Sequence, residues 1–132
     1  MRFNAYEVWI SRSGRRAVVL RTDDGGRRGL LLFGDTGAEE WFNWAELTQA
    51  DQWMLDRALR PAKTADELKA LILKKIARQA ACPTDMSVEI VDLGSGKWRA
   101  DSVPPSGPIG WADCAHYVGM IARAFGQLYA LQ

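Results

Sequence analysis

The sequence predicts an α+β fold, and three features carry that prediction. Apolar and polar residues alternate from Tyr6 to Ser11, the period of a half-buried strand. Asp23-Asp24-Gly25-Gly26 separates two Val/Leu-rich runs, and Asp and Gly tolerate the positive φ that tight turns need. Thr64 and Glu67 stand at capping-box spacing ahead of Leu68, Leu71, Ile72 and Ile76, which recur as on one helix face. The expected order is β-β-β-(β)-α-α-β-β-α. That is an antiparallel N-terminal meander, two central helices, a second β-hairpin and a long C-terminal helix.

In the first strand Tyr6, Val8 and Ile10 form the apolar face, and Glu7, Trp9 and Ser11 the more polar one. Arg12-Ser13-Gly14-Arg15 turns the chain into a strand from Ala17 to Thr22. Arg28 to Phe33 follows the Asp/Gly turn, so the meander covers residues 4–33. Gly34-Asp35-Thr36-Gly37 is a further turn. Residues 39–43 favour a strand on their aromatics, although Thr36 and Glu39 also have capping-box spacing. Asn43 with Glu46, then Thr48 with Asp51, start the first central helix. It ends before Pro61 and buries Trp53, Leu55 and Leu59.

The second central helix is the best specified element. Asp66 and Glu67 stand at the positive end of its dipole, and Lys74, Lys75 and Arg78 toward the negative end. Beyond it Met86, Val88 and Ile90 alternate with polar residues. Gly94-Ser95-Gly96 turns the chain, and Trp98, Ala100 and Ser102 share a face of the answering strand. Pro104-Pro105-Ser106-Gly107-Pro108 is a stiff loop; its bare PxxP pattern is common by chance. The last helix points Trp111, Ala115, Val118, Ile121, Ala122, Phe125 and Tyr129 at the core. Val8, Ile10, Val19, Leu20, Leu32, Leu68, Ile72, Ile76, Val88, Ile90 and Trp98 complete that core from the other elements.

Length and composition place these elements in one domain, residues 1–132. The chain is 48% hydrophobic and 25% charged, enough to fill a core and stay solvated. Arg60-Pro61-Ala62-Lys63 is the one candidate linker and marks where a subdivision near 60–64 would fall. Two cysteines, Cys82 and Cys114, are too few for a disulfide framework. The N-terminus lacks the apolar run of a secretory signal. The apolar stretch from about Trp111 to Leu131 is broken by Asp113, His116, Arg123 and Gln127, so no membrane partner is expected. A cytoplasmic location follows by elimination.

The net charge of +1 hides blocks. Residues 1–34 carry +4, residues 35–60 −4, residues 61–81 +3 and residues 82–132 −2. Such blocks more often pair within a fold than mark a ligand.

No coherent catalytic set stands out. Cys114 and His116 lie two apart on one helix and point to different faces, so a Cys–His dyad within it is geometrically poor. One His and two distant Cys match no metal spacing, and no cofactor is expected. Gly94-Ser95-Gly96-Lys97 lacks the glycine spacing and following helix of a phosphate loop and reads as a turn.

Two surfaces remain. Arg12, Arg15 and Arg16 crowd one hairpin end, and Arg21, Arg27 and Arg28 lie around the next. Trp9 on the polar face would stack on a base, and Lys97-Trp98-Arg99 repeats the basic–aromatic theme. A nucleic-acid-binding face would therefore use Arg12, Arg15, Arg16, Arg27, Arg28 and Trp9. The competing explanation is a guarded sheet edge, neutralised by the acids of residues 35–60. On the last helix Ala115, Gly119, Ala122 and Gly126 form a small-residue stripe. It suits either tight internal packing or an interface between helices of two copies. The leading functional expectation is a non-catalytic binding or assembly protein, with a protein partner or homodimerisation. A nucleic-acid-binding regulator is second, and a small thiol-dependent enzyme built on Cys82 or Cys114 third.

Overall fold

A computed structural model describes residues 1–57, 60–79, 82–103 and 111–132. The architecture is α+β, with a five-stranded antiparallel sheet, a central helix, a hairpin and a long C-terminal helix. The chain divides into two compact units, Met1–Arg60 and Pro61–Gln132.

The first unit is the sheet. Strands β1 (Val8–Ser11), β2 (Arg16–Asp23), β3 (Arg28–Phe33) and β4 (Glu39–Asn43) form the meander. A fifth, β5 (Trp53–Leu55), returns to the free side of β1, giving the order β4-β3-β2-β1-β5. The Asp/Gly turn between β2 and β3 forms as a short 3-10 turn. The Asp23 carboxylate accepts the Asp24 N–H at 2.8 Å there, and Gly25 and Gly26 take positive φ.

Cross-strand register places Trp9, Ala17 and Phe33 in one row, with Val19 and Leu31 beside it. These residues with Phe3 and Leu47 form one core cluster of the unit, and Val18, Leu20 and Leu32 are buried as well. Phe3 lies across Gly29, where an added Cβ would come within 2.7 Å of its ring. That close approach explains the glycine in an otherwise Leu-rich strand.

Two expectations fail here. Trp9, not Val8 and Ile10, fills the core: it is 5% exposed and meets Phe3 edge-on at 5.6 Å, whereas Val8 and Ile10 are half-buried. Tyr6 sits at φ 65, so the regular strand begins only at Val8 and the alternation does not run through from Tyr6. The first central helix is also absent as such. A single turn, α1 (Trp44–Leu47), is followed by a 3-10 turn and then by β5. Ala50 and Asp51 adopt left-handed φ near 54°, which ends helical continuation. The open edge of β1 then supplies the partners that Trp53, Met54 and Leu55 use. Trp53 is half-buried and Leu55 exposed; Leu59 lies outside the described residues.

The second unit is built from helix α2 (Ala65–Ile76), the hairpin β7 (Ser87–Gly94) and β8 (Lys97–Val103), and helix α3 (Trp111–Leu128). Two short strands, β6 (Ala62–Lys63) and β9 (Ala130–Leu131), pair in parallel. The capping box of α2 forms in both directions. Thr64 Oγ1 accepts the Glu67 N–H at 3.2 Å, and Glu67 Oε1 accepts the Thr64 N–H at 3.0 Å. Leu68, Ile72, Val88, Trp98, Val118, Ile121 and Phe125 are buried, while Ile90 is half-buried. The proline-rich loop lies outside the described residues.

Cys82 and Cys114 are joined by a disulfide across 32 positions, tying the segment after α2 to the first turn of α3. Two cysteines are too few for a disulfide framework, as the sequence indicates, but they do form this one crosslink. Sequence separation hides that the hairpin folds back and brings α3 against α2, so the two sulfurs meet beside Met86.

Candidate nucleic-acid interface

The structure separates the expected arginine face into two groups. Arg12, Arg15 and Arg16 stand at the β1–β2 turn, whereas Arg27 and Arg28 stand beyond the far end of β2. Seven residue steps of strand put these ends roughly 20 Å apart.

The first group is engaged internally. Arg12 donates from Nη2 to the Ala50 carbonyl at 2.6 Å. Arg15 donates from Nε to Asp35 at 2.9 Å and lies 4.7 Å from the Phe33 ring centroid. Asp35 in turn is held below the usual carboxylate range, first by the Arg15 hydrogen bond. Arg16 donates to Asp56 at 2.7 Å in a pair whose side chains are only 17% and 6% exposed. These contacts join the basic block of residues 1–34 to the acidic block of 35–60. Trp9 is buried, so its ring faces are covered by protein and offer no surface to a base. Trp98 is buried too, with its indole N–H donating to the Tyr129 carbonyl at 3.1 Å. Arg99 is taken up by Asp101 at 3.1 Å.

The second group meets a residue that sequence reasoning passed over. The registers Arg21↔Leu30 and Leu30↔Trp41 put Arg21 and Trp41 in one cross-strand row, on the face opposite the Trp9 core. Arg28 lies on the same face, opposite Asn43. Trp41 is 38% exposed on the edge strand β4. The guanidinium of Arg28 lies 5.0 Å from its ring centroid and that of Arg21 5.6 Å. Both arginines are exposed, and Arg28 has only a 3.5 Å, solvent-accessible ion pair with Asp23.

A cation over an indole face gains about 0.5–1 kcal/mol at an exposed site, which biases these side chains toward the ring but is less than the roughly 2 kcal/mol of rotamer entropy an arginine carries. The cluster is therefore a loosely held basic–aromatic surface. Arg27 is exposed at the same end of the sheet, and Arg2 packs its stem at Gly26. Four arginines thus stand near the turn that carries Asp23 and Asp24, while Glu39 lies two residues from Trp41 on its face. Once residues 39–43 are assigned as a strand, strict alternation separates Trp41 from Phe42. That alternation is the signal in the sequence for the site.

The small-residue stripe of α3 divides. Ala122 is buried, and a Cβ at Gly126 would touch Trp98 at 4.0 Å, so this part packs against the unit's own hairpin. Ala115 is half-buried, and Gly119 is exposed with open space where a side chain would stand. His116 lies on the solvent face of the same helix. Neither sulfur is a free thiol, so the thiol-dependent chemistry weighed on sequence has no nucleophile in this structure.

Elsewhere in the second unit, Leu73, Ile76, Ala77, Pro83, Thr84 and Met86 line an open cleft of about 240 Å³. Among the described residues no helix is long and apolar enough to cross a membrane, and no group of three or more His, Cys, Asp or Glu could hold a metal ion. No family model matches the chain, and neither does any curated protein or solved structure.

Proposed function

We propose that this chain is a non-catalytic binding protein whose recognition surface is the Arg21–Trp41–Arg28 cluster at the β4 edge of its first unit. The observation that supports this is a half-exposed tryptophan carrying two exposed guanidinium groups over its ring. Trp41 leaves 38% of its surface open on the edge strand, so part of the indole is available to a partner. Aromatic and arginine side chains are also the residues that concentrate binding energy at interfaces. Affinity purification from the native cell, comparing wild type with Trp41→Ala and analysing both protein and nucleic acid, tests the proposal. A partner recovered with wild type and lost with the variant is expected. Identical recoveries from both would contradict it.

A second surface is favoured by the open position at Gly119. We propose self-association through Ala115 and Gly119 of α3 as the assembly form of the same reading. Light scattering with Gly119→Leu would then show a dimer becoming a monomer; a monomer in both cases removes it.

A cytoplasmic location stays the proposal from the sequence, and the Cys82–Cys114 bond opposes it, since structural disulfides are rare where thiols are kept reduced. Thiol trapping in fresh native extract decides between them. Two free thiols support the cytoplasm, and a crosslinked pair argues for an oxidising compartment.

A further inference from the structure

We infer that the Arg21–Trp41–Arg28 cluster recognises single-stranded nucleic acid, with Trp41 stacking on an unpaired base and the two arginines holding the flanking phosphates. The inference rests on the binding surface proposed above and names its ligand class.

Three features of the cluster select that ligand. The first is the exposed indole. An edge-strand tryptophan presents a flat π surface, and every base has a complementary one, but in a duplex those faces are already stacked. An unpaired base is free to use Trp41; a paired one is not. The second is the placement of charge. Arg21 and Arg28 approach the ring at 5.6 and 5.0 Å from neighbouring strands, β2 and β3. A base on the ring therefore has its phosphates within reach of planar, multi-donor guanidinium groups. The third is exchangeability. A base that takes the ring displaces the guanidinium groups only from exposed cation–π contacts, which are weak, and leaves them beside it for its phosphates. The 3.5 Å Arg28–Asp23 pair is exposed and costs little to exchange for a phosphate.

An acidic peptide would satisfy the same charges but has no use for the ring. Its binding would therefore depend on the arginines and be indifferent to Trp41. Three arginines at the other end of the sheet do not contribute. Arg15 and Arg16 are committed to Asp35 and Asp56, and Arg12 to a backbone carbonyl.

The test uses the full chain and fluorescence anisotropy with four labelled probes. These are unpaired oligothymidylate and oligoadenylate of about ten nucleotides, a duplex of matching length, and a poly-glutamate peptide. Wild type is compared with Trp41→Ala, Trp41→Phe, the pair Arg21→Ala with Arg28→Ala, and Arg12→Ala as a control at the far end of the sheet. Thermal melts confirm that each variant folds. Trp41→Phe keeps an aromatic on the strand and stands in if Trp41→Ala does not fold.

Unpaired oligonucleotides are expected to bind more tightly than the duplex. Trp41→Ala should weaken them about tenfold or more, Trp41→Phe much less, and Arg12→Ala not at all. Losing both arginines should flatten the log–log salt dependence by about 1.4, at about 0.7 per phosphate contact on a single strand. Equal affinity for duplex and single strand, or oligonucleotide binding unchanged in both Trp41 variants, overturns the inference. Binding of poly-glutamate alone, lost with the arginine pair, overturns the nucleic-acid assignment but keeps the binding surface. No Trp41- or arginine-dependent binding of any probe removes both.

Discussion

Met1–Arg60 and Pro61–Gln132 are similar in length but hold together by different means. The first has no covalent crosslink. Its core is dense in aromatics, with Phe33 meeting Phe42 at 5.9 Å and Trp53 at 5.8 Å, and one largely buried ion pair ties β2 to the segment after β5. The second joins two helices and a hairpin, and a disulfide clamps the helices. Cores of this size rarely supply more than about 3–5 kcal/mol unaided, so some added restraint is expected in each. The comparison teaches where each unit is vulnerable: the second at one bond, the first at a few dense packing points.

The largest effect expected is on the second unit. Replacing both cysteines by Ser reopens a loop of 32 positions, which on chain-entropy grounds costs about 3.7 kcal/mol. Amide exchange in α2 and α3 should then quicken far more than in β2 and β3. Equal quickening in both units would break the contrast.

Next, Asp56→Ala removes the carboxylate of a largely buried ion pair, and about 3 kcal/mol should be lost from the first unit in denaturant midpoints. Asp35→Ala removes an exposed partner of Arg15 and should cost under about 1 kcal/mol. Equal losses would show that burial is not what distinguishes the two pairs.

Gly29→Ala sharpens the packing side of the contrast. Its Cβ would press on the Phe3 ring at 2.7 Å, and a cost of about 2 kcal/mol is expected from overpacking, measured by thermal melts. A neutral result would mean that Phe3 moves aside freely.

Thr64→Ala removes the α2 cap and should cost about 1 kcal/mol, read by helix-amide exchange. The same cap holds the Glu67 carboxyl below its ordinary range, chiefly through the Thr64 backbone N–H and then its hydroxyl. The folded pKa is thus lower than the unfolded one. The stabilisation is complete above the unfolded value and fades as pH falls through the folded one. A carboxyl titration curve for Glu67 displaced to lower pH is expected; an ordinary midpoint would contradict the capping geometry.

Legibility in the sequence follows the same division. In the second unit local signals agree: the Thr64–Glu67 box, the Leu68–Ile76 stripe and the Gly94–Gly96 turn each specify one outcome, and each forms. The disulfide and the β6–β9 pairing escaped because both depend on tertiary return of the chain. In the first unit the alternation at Tyr6–Ser11 fits either face when Trp9 and Val8 are both apolar. The positive φ at Tyr6 and the bulk of a core tryptophan decided it. Residues 48–55 look helical locally, yet the vacant edge of β1 recruits them as β5. The candidate site was half visible. The arginines stood out by composition, but their partners did not. Only register shows that Arg15 and Arg16 are neutralised while Arg21 and Arg28 converge on Trp41.

The most direct test of that convergence is a nuclear magnetic resonance titration of isotope-labelled protein with an unpaired oligonucleotide. The Trp41 indole N–H and the Arg21 and Arg28 side-chain N–H signals should shift together, while those of Arg12, Arg15 and the amides of α3 stay in place. Shifts centred on the Arg12–Arg16 end or on α3, with Trp41 unmoved, would contradict the account.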